Sequence, residues 1–419
     1  MNKRNENKPG YKKTKVGWIP EEWEVCNFDK LVKNSQYGLS VPTTKDGNIP
    51  ILGMSNLQDG KIDLTRLQRI KIDKKELKQF SLKENDLLFN RTNSLALVGK
   101  TAIVTLDMDC VFASYLVRFS LKKTVIPNFI GYYFNQKNAI SRIKSLSTSG
   151  VSQYNINPKI LRKYFYIPIP NFIEQQKIAE ILSAWDKAIE QTKQLIEAKQ
   201  KLKKGLIQQL LTGRMRFPEF GKPVKSKGEL PKGWKTKKLS YYFIERNETD
   251  PALRLLSITA SRGVIYRDDV LRKDTSSFDK SKYKKIMPGD IGYNTMRMWQ
   301  GVSAASSLKG IVSPAYTVCI PTENSHAYFF EYLFKFPSTI NLFHRYSQGL
   351  VNDTLNLKFH HFAQIKLFVP NKNEQIKIAS IFTVMDKEID ILFNHKITLK
   401  KQKQGLMQKL LTGEIRVKA

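Results

Sequence analysis

Apolar residues recur at alternating spacings of four and three in two long segments of the chain. In the second segment the series is Ile378, Phe382, Met385, Ile389, Leu392, Leu399, Leu406 and Leu410. In the first segment it is Ile178, Leu182, Trp185, Ile189, Thr192, Ile196, Leu206 and Leu210. A mean period of 3.5 residues kept over several heptads is typical of a coiled coil. We therefore predict two long helices that pair with each other, the first running from about residue 174 to 212.

Four lysines occupy places in these series where an apolar residue is expected, namely Lys199, Lys203, Lys396 and Lys403. Two interpretations are open. Another subunit covers the helix pair at these places, or the lysines pack their aliphatic stems and extend the ammonium groups to solvent.

The two segments are copies of each other at an offset of 200 residues. The first copy contains Pro170-Asn171, Glu174-Gln175, Lys177-Ile178-Ala179 and Leu210-Leu211-Thr212-Gly213, and the second contains Pro370-Asn371, Glu374-Gln375, Lys377-Ile378-Ala379 and Leu410-Leu411-Thr412-Gly413. Upstream, Pro20-x-x-Trp23 corresponds to Pro231-x-x-Trp234. Gly213 and Gly413 stand where the glycine that ends a helix belongs. The chain is thus one unit used twice.

The regions between the helices contain short β-branched and aromatic runs separated by turn residues such as Asp59-Gly60 and Pro288-Gly289. Helices are expected near residues 128–138 and 327–336. The predicted fold is α/β (α+β): two mixed domains separated by two long helices that form an antiparallel, pseudo-twofold coiled coil. The predicted boundaries are a basic, flexible N-terminal tail at 1–17, domains at 18–169 and 229–369, helical regions at 170–217 and 370–419, and a linker at 218–228.

Composition narrows the class of partner. The 419 residues include 70 Lys and Arg against 37 Asp and Glu, a net charge of +33. This excess indicates a polyanion, most simply nucleic acid. The apolar content excludes wholesale disorder, and no apolar run is long enough for a membrane span. Three widely spaced cysteines exclude a disulfide framework and favour the cytoplasm.

Motifs for catalysis are weak throughout the sequence. Gly99-Lys100-Thr101 resembles the end of a phosphate-binding loop, but Ser94 stands where its first glycine belongs. The pair His360-His361 has no cysteine or spaced histidine nearby to complete a metal site. We therefore predict no catalytic residue, no cofactor and no metal.

The repeated Pro-x-x-x-Glu-Gln-x-Lys-Ile-Ala segment with its closing Leu-Leu-Thr-Gly resembles the helical region of type I restriction–modification specificity subunits. Gly17-Trp18-Ile19-Pro20-x-x-Trp23, residues 85–91 and Gly99-Lys100-Thr101-Ala102 are similar to parts of their target-recognition domains. The second half departs more, because Gly289–Asn294 replaces Asn85–Asn90 and no Gly-Lys-Thr-Ala follows.

The resemblance implies a non-catalytic subunit that reads a bipartite double-stranded DNA site. It also implies two methyltransferase subunits on the helices and restriction subunits in the full complex, which would be a DNA adenine methyltransferase and ATP-dependent endonuclease. Two alternatives stay open. One is the recognition subunit of a related methyltransferase–nuclease system, and the other is a coiled-coil scaffold that binds protein or RNA.

Polar clusters after predicted strands are the candidates for DNA contact, since Arg reads guanine and Asn or Gln reads adenine. In the first domain they are Asn90, Arg91, Thr92, Asn93, Ser152, Gln153, Tyr154 and Asn155. In the second domain, where residues 294–298 hold the like place, they are Asn294, Thr295, Arg297, Gln348 and Asn352.

Polar residues that are identical in both helices, and that the helix pair does not need, suggest one partner bound twice. These docking candidates are Glu174, Gln175, Lys201, Gln208, Glu374, Gln375, Lys401 and Gln408, predicted to lie on exposed faces. For Glu174 and Glu374 the rival explanation is helix capping near the positive N-terminus.

Overall fold

The computed structural model describes residues 5–150, 153–224, 229–270 and 276–417. The chain divides into two compact units. The first unit joins the chain up to Lys193 to the segment from Asn394 onwards, and the second runs from Gln194 to Phe393. Each unit therefore contains one globular region, the first half of one long helix and the second half of the other.

Up to the end of the first long helix, the strands are β1 Tyr11–Thr14, β2 Gly17–Pro20, β3 Glu24–Asn27, β4 Val32–Tyr37, β5 Ile49–Leu52, β6 Leu57–Gln58, β7 Lys61–Ile62, β8 Gln68–Ile70, β9 Leu87–Asn90, β10 Thr92–Asn93, β11 Thr101–Ile103, β12 Val111–Phe112, β13 Leu116–Leu121, β14 Thr148–Ser149, β15 Tyr154–Asn155 and β16 Tyr166–Ile169. The helices are α1 Lys74–Phe80, α2 Pro127–Phe134, α3 Lys137–Lys144, α4 Pro158–Tyr164 and α5 Phe172–Leu210.

In the remainder of the chain, the strands are β17 Lys235–Lys238, β18 Phe243–Glu245, β19 Leu256–Thr259, β20 Gly263–Tyr266, β21 Lys284–Ile286, β22 Ile291–Asn294, β23 Ser303–Ala305, β24 Gly310–Val312, β25 Tyr316–Pro321 and β26 Lys366–Val369. The helices are α6 Leu239–Tyr242, α7 Ala327–Phe334, α8 Pro337–Tyr346, α9 Phe359–Phe362 and α10 Lys372–Leu410.

A four-stranded antiparallel sheet forms the centre of each globular region. Its order is β11-β9-β13-β4 in the first unit and β23-β22-β25-β18 in the second. Short helices pack on each sheet around buried aromatic rings, such as Phe28 against Phe119 and Phe134 at centroid distances of 5.0 and 4.9 Å. The predicted mixed α/β architecture is confirmed, and the same framework is built twice.

A small two-stranded sheet leads from each globular region into its long helix. It pairs β16 with β3 in the first unit and β26 with β17 in the second. In each unit the last strand before the long helix therefore lies beside a strand that follows the Pro-x-x-Trp motif.

The two long helices have 39 residues each, about 58 Å at 1.5 Å per residue. Asn171 and Asn371 cap their N-termini, each side chain accepting a hydrogen bond from the amide of the glutamate three residues later, at 2.8 and 3.0 Å. At the other end Gly213 and Gly413 have φ of +72° and +69°, as predicted for the residue that ends a helix. The helix predictions are confirmed to within about two residues.

Within each unit the two helix segments pack antiparallel through an ion pair. In the first unit Lys403, near the end of α10, donates to Asp186, near the start of α5, at 2.6 Å. In the second unit Lys203 of α5 binds Asp386 of α10, and Lys199 binds Glu388 at 2.7 Å. These three lysines stand in the apolar series because each forms an ion pair with a carboxylate of the opposite helix. Neither interpretation from the sequence included such ion pairs.

None of the helices in the described ranges combines the length and the apolar composition that a bilayer-crossing segment requires.

Candidate nucleic-acid interface

The two polar clusters predicted in the first domain come together in one three-stranded ribbon. Strand β10 pairs with β15, so that Thr92 lies opposite Asn155 and Asn93 opposite Tyr154. Strand β14 pairs with the other edge of β15. The ribbon follows directly from the end of β9, an inner strand of the central sheet, and these side chains therefore stand on a rigid element.

The side chain of Arg91, the residue directly before β10, makes three contacts. Its Nε donates to the carbonyl oxygen of Ser114 at 3.3 Å, and its Nη1 donates to Oδ1 of Asn155 at 3.1 Å. The guanidinium carbon lies 5.1 Å from the ring centroid of Tyr37, within the range of a cation–π contact. Tyr37 was not found from the sequence, because it lies 54 residues before Arg91 on another strand.

Asn90 does not belong to the interface, which corrects the prediction. Its side chain is fully buried, and its Oδ1 lies 3.4 Å from the amide of Thr92. All four residues of β9 are buried because both faces of the central sheet are covered here. The side chain of Asn90 therefore cannot reach DNA.

The other candidates of the first domain lie at the surface of the ribbon. Gln153 and Asn155 are exposed, while Thr92, Asn93 and Tyr154 are half-buried. The Oγ1 of Thr92 donates to Oδ1 of Asn155 at 3.1 Å. Ser152 lies outside the described residues. Contact of these residues with DNA stays a prediction.

The second domain presents its candidates on the same framework but without a matching arginine. The amide of Thr295 donates to the carbonyl of Ala315, as that of Arg91 donates to Tyr115. The carbonyl of Thr295 accepts from Leu357, as that of Arg91 accepts from Ile156. Thr295, not Arg297, is thus the backbone equivalent of Arg91.

Arg297 is exposed, and its Nη1 lies 3.7 Å from Oδ1 of the exposed Asp353. Asn294 is half-buried and its Oδ1 accepts from the amide of Met296 at 3.0 Å, whereas Gln348 and Asn352 are exposed. Leu350 is fully exposed between them.

The repeated Glu174 and Glu374 are buried, so the prediction that they lie on exposed faces is wrong. Glu174 accepts from the indole of Trp23 at 3.1 Å and from Nε and Nη2 of Arg416 at 2.8 and 3.0 Å. Glu374 accepts from Trp234 at 3.1 Å and from Nε and Nη2 of Arg216 at 2.9 and 2.8 Å. These Trp–Glu–Arg junctions join the repeated motifs within each unit.

Gln175 and Gln375 are also buried, which corrects the same prediction for them. The Oε1 of Gln175 accepts from the amide of Ile126 at 3.0 Å, and that of Gln375 accepts from the amide of His326 at 2.9 Å. Their amide groups donate to Pro170 and Pro370. Each glutamine therefore fastens the segment before α2 or α7 to the start of a long helix.

The remaining docking candidates lie at the surface. Lys201, Gln208 and Lys401 are exposed and Gln408 is half-exposed. In the heptads of both helices these four residues occupy the position farthest from the helix–helix contact. Their docking role stays a prediction.

Arg216 and Arg416 were missed from the sequence although they stand at the same offset of 200 residues. The same offset relates Tyr132 and Tyr332, whose hydroxyls donate to Asp186 at 2.8 Å and to Asp386 at 2.5 Å. The offset of 200 residues therefore extends upstream as far as the equivalent pair Tyr115 and Ala315, whereas Arg91 and Thr295 lie 204 residues apart and Trp23 and Trp234 lie 211 apart.

The comparisons with known proteins agree with this architecture. Residues 20–200 match the model of the type I restriction modification DNA specificity domain. A putative type I restriction enzyme MjaX specificity subunit of Methanocaldococcus jannaschii is 29% identical, with 97% of each chain covered. The MjaVIII specificity subunit of the same organism is 27% identical over 96% of this chain and 94% of its own.

Among solved structures, the S subunit of a type I restriction–modification system from M. genitalium has the same fold. Its TM-score is 0.58 at 16% identity, with 93% of this chain and 96% of that chain covered. The twofold repeat, the matched specificity domain and these relatives together show that the chain is similar to the specificity subunits of type I restriction–modification systems.

Proposed function

We propose that each globular domain reads one half of a bipartite, asymmetric DNA target. The observation that supports this proposal most is that two equivalent backbone frameworks present different side chains at the same position, Arg91 in one and Thr295 in the other. Residues 18–169 and 229–369 are the two recognition domains in this proposal. Because the readers differ, the two half-sites differ as well.

The charge of the chain supports the same proposal. With a net charge of +33, many lysines are available for phosphate contacts, which position a protein on DNA without reading its sequence. Base reading is then left to the polar ribbon of the first domain and to residues 294–297 and 348–356 of the second.

The chain acts without catalysis of its own in this proposal. Methylation and cleavage come from methyltransferase and restriction subunits that assemble with it in the cytoplasm. The outward-facing pairs Lys201 and Lys401, and Gln208 and Gln408, support two copies of one methyltransferase subunit bound to equivalent surfaces.

Exchange of one recognition domain tests independent reading. Replacing residues 18–169 by the corresponding domain of a relative with a known target should change one half-site of the methylated sequence and leave the other unchanged. Methylome sequencing of cells that carry the hybrid subunit with its methyltransferase measures this. A matched exchange of residues 229–369 should change only the other half, and a change in both halves after either exchange would contradict independent reading.

Substitution of the four outward residues tests partner docking. The variant with Lys201, Gln208, Lys401 and Gln408 all changed to alanine should raise the dissociation constant for the methyltransferase subunit about tenfold or more, since interface side chains of this kind contribute at the kilocalorie level. Analytical ultracentrifugation of the mixed subunits measures this.

The control for docking changes Lys204 and Gln404 to alanine. Both are exposed on the same helices but differ between the copies. This control should assemble like the wild type. Equal assembly of the fourfold variant would refute docking at these residues.

A further inference from the structure

The guanidinium of Arg91 is fixed in orientation before any ligand binds. Its Nε donates to the carbonyl oxygen of Ser114, and its Nη1 donates to Oδ1 of Asn155. The ring centroid of Tyr37 lies 5.1 Å from the guanidinium carbon. The backbone of Arg91 is fixed as well, because its amide donates to Tyr115 at 3.1 Å and its carbonyl accepts from Ile156 at 2.8 Å. Little conformational entropy is left to lose on binding.

The outer edge of this guanidinium still has donors to offer. Arginine has five N–H groups, and the two contacts above use one on Nε and one on Nη1. In the chain segments that the structure describes, Nη2 makes no hydrogen bond. Three N–H groups remain, one on Nη1 and two on Nη2, and one from each nitrogen can supply the fork geometry that pairs with O6 and N7 of guanine in the major groove.

Asn155 is committed to orienting Arg91. Its Oδ1 accepts from both Arg91 Nη1 and Thr92 Oγ1, each at 3.1 Å. A bidentate pair with adenine needs that oxygen, so Asn155 in this state cannot make one. In the second domain Thr295 occupies the equivalent backbone position, and within the described residues the side chain of Arg297 pairs only with the exposed Asp353.

We infer that Arg91 reads a guanine in the first half-site through its Nη1–Nη2 edge, with Tyr37 and Asn155 as positioning residues. This inference rests on the proposed function. It adds the identity of one base and assigns the contact to the first domain.

Selection of bound sequences from a random duplex library by the full-length chain, assembled with its methyltransferase subunit, tests the inference. The wild-type selection should contain an invariant G·C pair in one half-site. Arg91→Ala should accept any base pair at that position, a loss of preference of about 5- to 150-fold, with the rest of the target unchanged.

Charge-conserving and aromatic variants separate reading from other roles. Arg91→Lys keeps the charge but lacks the planar fork, so it should lose the same preference as Arg91→Ala. Tyr37→Ala should relax the same base pair without changing the unfolding temperature, while Tyr37→Phe should behave like the wild type. Arg297→Ala should leave this base pair unaffected.

Two results would overturn the inference. If Arg91→Ala weakens binding to all duplexes equally and Arg91→Lys restores it, Arg91 contacts a phosphate. If the wild type selects a bipartite target but Arg91→Ala keeps every base preference, the base contact is absent although the proposed function stands. A wild-type selection without any sequence preference would instead defeat the proposed function itself.

Discussion

Replacing Glu374 by alanine should lower the free energy of unfolding of the second unit by about 3–5 kcal/mol, the usual cost of leaving a buried charge without its partner. Glu374 accepts three hydrogen bonds from Trp234 and Arg216. The side chain of Arg216 is only 2% exposed, so water cannot solvate its charge when the carboxylate is removed.

Glu174→Ala is the matched control, because it removes the equivalent carboxylate from the first unit. There the side chain of Arg416 is 35% exposed, and its Nη2 also donates to Glu22 at 2.7 Å. After the substitution its charge is therefore still paired with Glu22 and still solvated. The buried indole N–H of Trp23 still loses its acceptor, and we expect a smaller loss of about 1–3 kcal/mol.

Native-state hydrogen exchange measures both losses, since it reports opening free energies segment by segment in a chain that need not unfold in one step. Equal losses in the two variants would contradict the dependence on arginine burial.

Replacing Asp186 by alanine should cost the first unit about 3 kcal/mol, mainly because Lys403 is left nearly buried at 14% exposure. Tyr132 loses the carboxylate to which it donates but keeps the Oγ of Ser183, 3.1 Å away, as a hydrogen-bond partner. Burial raises the pKa of Asp186, but the hydrogen bonds from Lys403 and Tyr132 and the charges of Lys403 and Lys61 together outweigh it and hold that pKa below its usual value. The stabilisation is therefore fully present above the unfolded pKa, about 3.9, and is lost as the pH falls through the folded pKa. The destabilisation by Asp186→Ala should shrink in the same acidic range.

The double variant Asp186→Leu with Lys403→Met tests whether the lost ion pair is the cause. An apolar pair of similar size needs no charged partner, so unfolding free energy should return to within about 1 kcal/mol of the wild type. Hydrogen exchange of α5 residues measures this. A double variant as unstable as Asp186→Ala would show that the cost has another origin.

The long helices were predictable because their pattern is local and is repeated. The spacing of Ile378, Phe382, Met385 and Ile389 predicts the helix period directly, and the prolines and glycines at both ends bound each helix. The bounds of short strands such as β12 and β15 could not be predicted, because two residues contain no period and such strands form only against a partner strand.

The roles of Glu174 and Gln175 were not predictable from the repeat. Identity between two copies has two possible causes, a partner bound twice or an internal contact made twice, and the sequence of the copies is the same in both cases. The residue that shows the contact of Glu174 to be internal is Arg416, which lies 242 residues away in the sequence. Asn90 was misplaced for a different reason, since polarity after a strand indicates exposure only when one sheet face is open.

The discontinuity of the first unit has a consequence for biosynthesis. The second unit is one continuous stretch, so all of its contacts are available once Phe393 has left the ribosome. The core of the first unit includes Met407, Leu410 and Leu411 beside Ile19 and Trp23. The nascent N-terminal domain therefore cannot complete its core until the second unit and the C-terminal residues have been synthesised. Until then, part of its apolar surface stays exposed to solvent. Chaperones that shield nascent chains would be needed most by the half of this protein that is made first.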